Sequence, residues 1–465
     1  MFSGFDYGTS NCAMGIITPN KKIQLLDLEP GKAFMPSTLY ALERELICEQ
    51  VGLQMTEGDE EQSDIKQDFL QQRDNALAQA RRIRQQEGLD SSEQSLFFGR
   101  AAFNEYYDFP EEGYFVKSPK SFLGASGLRQ EQVFFFEDIV TAMMQNVKAQ
   151  AEKSAAALGI HQPIEHTVIG RPVNFQGLNA EQSNKQAIDI LTISALRAGF
   201  KSVEFLFEPI AAGLNFEADL TENKTVLVVD IGGGTTDCAM VRMGPNHKNQ
   251  DQRQQDFLGH SGERVGGNDL DIQLAGHCLM PLLGMGSHFK DGKPISTKTF
   301  WDAVATNDIN AQAQFNSLHT KLYLDQLVRD SAKPNEIKRF VKLHADKLNH
   351  QLVRCAEESK IELSSLSQHR VDLCFIEAAL SENITREKLA YAVQRPIEKM
   401  ANLMDEAIKQ AGCKPDLVYV TGGSGQSPVI RAAIQQKIGD VQVVDGDHFG
   451  SVASGLTVWA ERLFS

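Results

Sequence analysis

Val229-Asp230-Ile231-Gly232-Gly233-Gly234-Thr235-Thr236-Asp237 is the stretch on which the fold turns. The apolar run Thr225–Val229 enters it, and Cys238-Ala239-Met240-Val241-Arg242-Met243 leaves it before the breaker pair Gly244-Pro245. The exit is a short β-type segment, so the glycine turn closes a hairpin. A dinucleotide-binding turn or a P-loop would open a helix at that point instead. A second stretch follows the same plan. Phe2–Phe5 runs into Asp6-Tyr7-Gly8-Thr9-Ser10-Asn11, then Cys12-Ala13-Met14-Gly15-Ile16-Ile17 and the turn signal Thr18-Pro19-Asn20. Cys-Ala-Met follows both turns, which reads as an internal duplication, each copy founding one lobe.

The chemistry follows from the residue types. Glycine lets backbone N–H groups approach phosphate oxygens, and Thr9, Ser10 and Asn11 add donors. Gly232-Gly233-Gly234-Thr235-Thr236 leaves room for two phosphates. Magnesium keeps several waters and is held by one or two carboxylates plus phosphates, so Asp6 and Asp230 are expected to orient one hydrated magnesium between them. Asp6 alone reads as an ordinary turn former; the pair favours phosphate binding. Leu417–Val420 leads into Thr421-Gly422-Gly423-Ser424-Gly425, ahead of a helix whose start is marked by Pro428. Its free N–H groups suit an α-phosphate or ribose, and a plain strand–helix turn is the equal alternative. Gly266-Gly267-Asn268-Asp269 is either an N-cap before the run Leu270–Leu283 or part of a hinge.

Bulk composition narrows the class. At 465 residues, two or three domains are expected. Lys+Arg 46 against Asp+Glu 61 gives a net charge of −15, which argues against a nucleic-acid binder. Seven cysteines without a C-x-x-C pair read as reduced thiols, and eleven histidines form no metal-binding pattern. The N-terminus carries no basic and apolar leader and no apolar run reaches spanning length, so a soluble, cytoplasmic protein without a membrane partner is expected.

Between the turns, strand and helix signals alternate, as in α/β layers. Helices are expected over Phe134–Ser154 with an extension to Leu158, Asn184–Ala198, Ala211–Ala218, His350–Ser364, Thr385–Ala411 and Pro428–Ile438. Strands are expected over His166–Gly170 and Val203–Phe207. Thr56–Gln94 is polar and Gln-rich with a helical part near Ile65–Gln86, read as a solvated surface helix. Gly284–Lys347 reads as irregular, then helical.

These motifs resemble, in order, the ATPase domain of the DnaK-type 70-kDa heat-shock chaperones. The resemblance is carried by Phe5–Asn11, Glu208-Pro209-Ile210-Ala211-Ala212-Gly213, Val229–Asp237, Gly266–Asp271 and Thr421–Ser424. Short YegD-like bacterial members are similar also over Val116–Gly124. The resemblance implies an actin-like ATPase fold of the α/β class, with two duplicated ribonuclease-H-like lobes, inserted subdomains and a central nucleotide cleft. One lobe is expected over residues 1–221 (insertion about 34–130), completed by 445–465, and the other over 222–444 (insertion about 276–347). It also implies ATP or ADP with magnesium as cofactors. Asp6, Asp230 and Asp237 would surround the metal and the attacking water, with Glu208 nearby. Gly8, Thr9, Ser10, Asn11, Gly232, Gly233, Gly234, Thr235 and Thr236 would hold phosphates. Gly266, Gly267, Gly422, Gly423 and Ser424 would lie along the nucleotide, and Glu357, Lys360 and Ser364 would hold adenosine. Pro172 and Glu208 match positions that relay nucleotide state.

Three departures bear on function. Phe103 stands where the family has a catalytic lysine, and a phenyl ring donates nothing to a phosphate; Lys117 and Lys120 are the cations nearby in sequence. Ile361 and Gln426 stand where two arginines flank adenine. After Trp459–Ser465 no peptide-binding β-domain is expected. The leading expectation is a slow magnesium-dependent ATPase acting as a chaperone-like switch, with unidentified client or co-chaperone proteins. The alternatives are a nucleotide-sensing scaffold without hydrolysis and a sugar-type kinase.

Overall fold

In the computed structural model the turns join strands. Phe2–Tyr7 pairs antiparallel with Asn11–Ile17, and Lys224–Ile231 with Thr236–Met243. The structure describes all residues except 56–59, 91–92, 111, 176–179, 218–219, 249–253 and 447–449. The parts of the Thr56–Gln94 and Ala211–Ala218 readings that fall there lie outside the described residues.

Each hairpin is the middle of a sheet. The first runs Ile23–Leu25, Asn11–Ile17, Phe2–Tyr7, His166–Arg171, Ser202–Phe207, with Met35–Pro36 also on Asn11–Ile17. The second runs Phe257–Glu263, Thr236–Met243, Lys224–Ile231, Leu417–Thr421, Gln442–Asp445. In both, two antiparallel pairings are followed by two parallel ones. Parallel pairing buries both faces of a strand, and so Val226–Ile231 is a continuous apolar run broken only by Asp230.

Helices Glu208–Glu217 and Ser451–Phe464 lie close together, and the latter also covers the first sheet. A Cβ on Gly455 would collide with the Ala211 carbonyl, and one on Gly4 would meet Ala453 O at 2.7 Å. Only glycine at both positions permits such approach. Helix Glu208–Glu217 begins three residues before the expected Ala211, because Pro209 suits the first helical turn.

The contacts divide the chain into two compact units. One comprises Met1–Arg264, Asn402–Gly423 and Asp440–Ser465, and holds both large sheets; the other comprises Val265–Ala401 and Ser424–Gly439. The second unit is mainly helical, with a hairpin of Gln368–Asp372 and Ser381–Thr385. Phe300 and Phe315 stack on Phe340, with ring centroids 4.3 and 5.8 Å apart.

Two expectations are corrected. Thr385–Ala411 is not one helix: it divides into Arg386–Ala392 and Gln394–Ala411. Pro396 has no N–H for the Ala392 carbonyl, which ends the first segment. The polar stretch is not merely a solvated helix. It forms Glu60–Gln72 and Asp74–Gln86, and Phe69, Leu77 and Ala80 are buried. Between those helices Arg73 is buried, ion-paired to Glu137 at 2.7 Å and Asp138 at 3.0 Å on the long helix Gln130–Ala157. Arg197 joins the cluster through Glu137 at 2.8 Å. All seven cysteines are free thiols. Among the described residues no helix is long and apolar enough to cross a membrane.

Candidate functional site

Strand register decides which carboxylates meet. In the second hairpin Asp230 lies directly opposite Asp237, so their side chains share one face. Like charges placed opposite each other destabilise a ladder unless something offsets them. Both are buried, at 6% and 2% exposure. Asp6 and Glu208, from the first sheet and the helix after Ser202–Phe207, complete the acidic group, for their charges act on Asp230. Asp237 Oδ1 also accepts the Val173 N–H at 2.8 Å.

The electrostatics reflect this crowding. Burial, then the Glu208 charge, pushes the Asp6 carboxyl up to about 7, against the pull of Lys120. Burial and Glu208 likewise raise Asp237 to about 7, although the Val173 N–H and Thr235 stabilise its charged form. Burial, then Glu208, Asp237 and Asp6, holds Asp230 well above the ordinary carboxylate range. Lys120 is a buried cation within the group. Its Nζ donates to Glu208 Oε1 at 2.5 Å and to the Gly170 carbonyl at 3.2 Å. Burial opposes its charge, but Glu208 and Asp6 outweigh that and raise its pKa.

The two glycine turns adjoin. A Cβ on Gly233 would overlap Ser10 Oγ, and one on Gly234 would lie 2.6 Å from Thr9 Cγ2. The backbone of Gly233 and Gly234 therefore packs directly on Ser10 and Thr9, which leave no space for a Cβ. The first turn is held from behind, as Ser37 Oγ donates to Gly8 O at 2.6 Å and Ser37 N–H to Ser10 O at 2.8 Å. In the second, Gly232 N–H donates to Thr235 O at 3.0 Å. Gly422 adjoins the same group: a Cβ there would meet Asp230 Oδ1 at 2.7 Å. Thr9, Lys120, Ser121, Pro172, Phe175, Gly234, Thr235 and Arg264 line a narrow hollow. Ser121 and Arg264 were not singled out from sequence, since neither belongs to a glycine turn.

A hydrated magnesium fits this arrangement. Burial and mutual repulsion push the Asp6, Asp230 and Asp237 carboxyls toward neutrality, and a divalent cation would let them ionise. Among the described residues no group of three or more His, Cys, Asp or Glu could hold a metal. Magnesium held through its waters needs no such cage.

The remaining expected residues fall in the second unit, apart from Gly423, which is exposed at the end of the first. There Gly266 N–H donates to Asp269 Oδ2 at 2.8 Å, capping helix Gly267–Leu274. Lys360 bonds Gly267 O at 3.2 Å and pairs with Asp271 at 2.7 Å, bringing that turn beside helix Asn349–Glu362. Glu357 pairs with Arg354 at 3.1 Å. Ser364 lies beyond the helix end, its hydroxyl donating to Lys360 O at 3.3 Å. Ser424 is buried and Gln426 exposed in the 3₁₀ turn Gly423–Gln426, which precedes helix Pro428–Ile438. Phe103 stacks on Tyr107 and packs on Phe115, with centroids 5.9 and 5.4 Å apart.

Two sheets of the same strand order, each built round a glycine-turn hairpin and joined by helices, define an α/β protein. The chain matches the family model described as Hsp70 protein over residues 115–282 and 323–463, and it belongs to the Hsp70 family. It is 26% identical to a chaperone protein DnaK of Elusimicrobium minutum over 71% of this chain and 44% of the relative. It is 24% identical to a chaperone protein dnaK of Guillardia theta over 78% and 48%. Chaperone protein dnaK3 of Synechococcus elongatus is 25% identical over 66% and 33%. The chain thus spans less than half the length of these curated relatives.

Proposed function

We propose that the chain binds ATP with magnesium and hydrolyses it slowly, as a DnaK-like nucleotide switch. One observation carries this reading. Asp6, Glu208, Asp230 and Asp237 converge beside two adjoining glycine turns. In this reading Gly8–Asn11 and Gly232–Thr236 bind the phosphates, and Asp6 and Asp230 hold magnesium through its waters. Magnesium would supply charge neutralisation on the phosphate oxygens. Asp237, kept in place by the Val173 N–H, orients the attacking water and takes up its proton. The shared strand order of the two sheets supports the actin-like, duplicated reading of the fold. Clients and co-chaperones of a chaperone-like switch are part of the same proposal.

Phosphate release by the purified chain tests it, with Asp230→Asn as control. The expected result is ATP-dependent release that the variant lacks, by about 100-fold or more. Measurable ATP binding with no Asp230-dependent release would leave the second reading, a nucleotide-sensing scaffold. The aromatic packing of Phe103 favours that alternative, because it places no cation at position 103.

A further inference from the structure

The end of the edge strand Phe257–Glu263 brings a second cation to the glycine turns. That strand pairs antiparallel with Thr236–Met243, setting Gly262 opposite Asp237 and Glu263 opposite Thr236. The next residue, Arg264, comes beside Thr235 of the second turn, and both line the same hollow. Side chains along a strand alternate between its faces, so positions 262 and 264 share one face and Glu263 takes the other. Glu263 is exposed. A Cβ on Gly262 would run into Asp237 Oδ1 and lie 3.2 Å from Val173 Cβ, so its face is the one toward the acidic group. Arg264 leaves the strand on that face.

The hollow is lined by Thr9 of the first turn, Gly234 and Thr235 of the second, Ser121, Lys120 and Arg264. Its two cations are differently placed. Lys120 is only 5% exposed, and its ammonium donates to Glu208 Oε1 and to the Gly170 carbonyl. Arg264 is half-buried. A guanidinium presents a planar fork of donors that matches two oxygens of one phosphate, which the point charge of an ammonium does not. The hydroxyls of Thr9, Ser121 and Thr235 add further donors, so the lining suits an anion. Arg264 also ends the opening segment of the first unit. Val265 begins the second, where the Gly266 N–H is fixed by Asp269 Oδ2 at 2.8 Å.

We propose that Arg264 grips the terminal phosphate of bound ATP and so distinguishes ATP from ADP. The inference rests on the ATP-binding reading above. In hydrolysis the water oxygen forms the new bond to the terminal phosphorus. The bond from that phosphorus to the bridging oxygen breaks, its electron pair leaving with ADP. The water proton passes to Asp237 and then to solvent. Arg264 gains and loses no proton; it offsets charge on the transferring oxygens. Loss of that phosphate removes a tether immediately before the chain passes to the second unit.

Arg264→Gln and Arg264→Lys in the full chain test this, with ATP and ADP affinities measured by titration calorimetry in magnesium alongside single-turnover phosphate release. Arg264→Ala repeats the measurement should the glutamine variant fail to fold. ADP lacks the terminal phosphate. Arg264→Gln is expected to bind ATP about tenfold more weakly, with ADP changed less than about twofold, and to release phosphate about 100-fold more slowly. Arg264→Lys keeps the charge without the fork, and should recover most of the ATP affinity while release stays about tenfold slow. Equal loss for the two nucleotides, or no loss for either, in the folded glutamine or alanine variant overturns the role of Arg264, while Asp230-dependent release keeps the ATPase reading intact. A wild-type chain that binds ATP but releases no phosphate is still decided by the ATP–ADP difference. A wild-type chain that binds neither nucleotide overturns both.

Discussion

Asp237 Oδ1 accepts the Val173 N–H at 2.8 Å, tying the second glycine hairpin to the loop that follows Arg171-Pro172. An asparagine oxygen can accept the same bond, so Asp237→Asn removes charge without removing the tie. Asp237 titrates near 7 in the fold against about 4 in an unfolded chain. A carboxyl raised in this way opposes folding once both states ionise. The penalty is full above pH 7, shrinks as pH falls from 7 to 4, and is absent below 4. Without nucleotide, Asp237→Asn is therefore expected to stabilise the chain by about 2–4 kcal/mol at pH 8 and by nearly nothing at pH 4. Urea unfolding at the two pH values measures this. An equal gain at both would show that the charge of Asp237 is not the cause.

Magnesium is expected to act through the same group. Titrating ATP with magnesium should raise the thermal midpoint of the wild-type chain, and a chelator should remove most of that rise. Asp6→Asn and Asp230→Asn should each lose the magnesium-dependent part while still folding. Differential scanning fluorimetry reads the shifts; an undiminished magnesium effect in both variants would contradict the assignment.

Ser10 and Gly233 offer a packing test of how the turns adjoin. Gly233→Ala is expected to destabilise by about 1–3 kcal/mol, because its Cβ would overlap the Ser10 side chain. Ser10→Gly removes that side chain, so the double variant should recover much of the loss. Denaturant unfolding of the four proteins gives the coupling, expected to exceed about 1 kcal/mol. Simple additivity would mean that the turns are not in contact.

Arg73 carries the largest predicted stability effect away from the site. Arg73→Ala leaves Glu137 and Asp138 buried with Arg197 as their remaining partner, and should cost about 3–5 kcal/mol. Burial already raises Asp138 to about 6 despite both guanidiniums. Chemical denaturation at pH 7 checks the loss, and a change within about 1 kcal/mol would show that the cluster is dispensable.

Legibility in the sequence followed the range of the forces involved. Both hairpins could be read because apolar alternation, glycines and the breakers Thr18-Pro19 and Gly244-Pro245 are local signals. The register that sets Asp230 opposite Asp237 follows from a turn of known length. Arg73 could not be assigned: its partners lie 64 and 65 positions away on another helix, and its own segment looks polar. Lys120 is distinguished from Lys117 only by long-range structure, its burial and its bond to Glu208, 88 positions away. The break before Gln394 was legible in principle from Pro396, but the strong apolar period around it masked the missing N–H.

The close seats of Gly4 against Ala453 and of Ala211 against Gly455 bear on biosynthesis. The first strand leaves the ribosome early, yet the surface it buries is made by residues more than four hundred positions later. Until Ser451–Phe464 emerges, that face of the first sheet is bare and able to associate wrongly. Pairing across such a separation is also slow. The nascent chain is thus itself a candidate for protection by chaperones, and truncation before Ser451 should yield aggregation rather than a smaller folded protein.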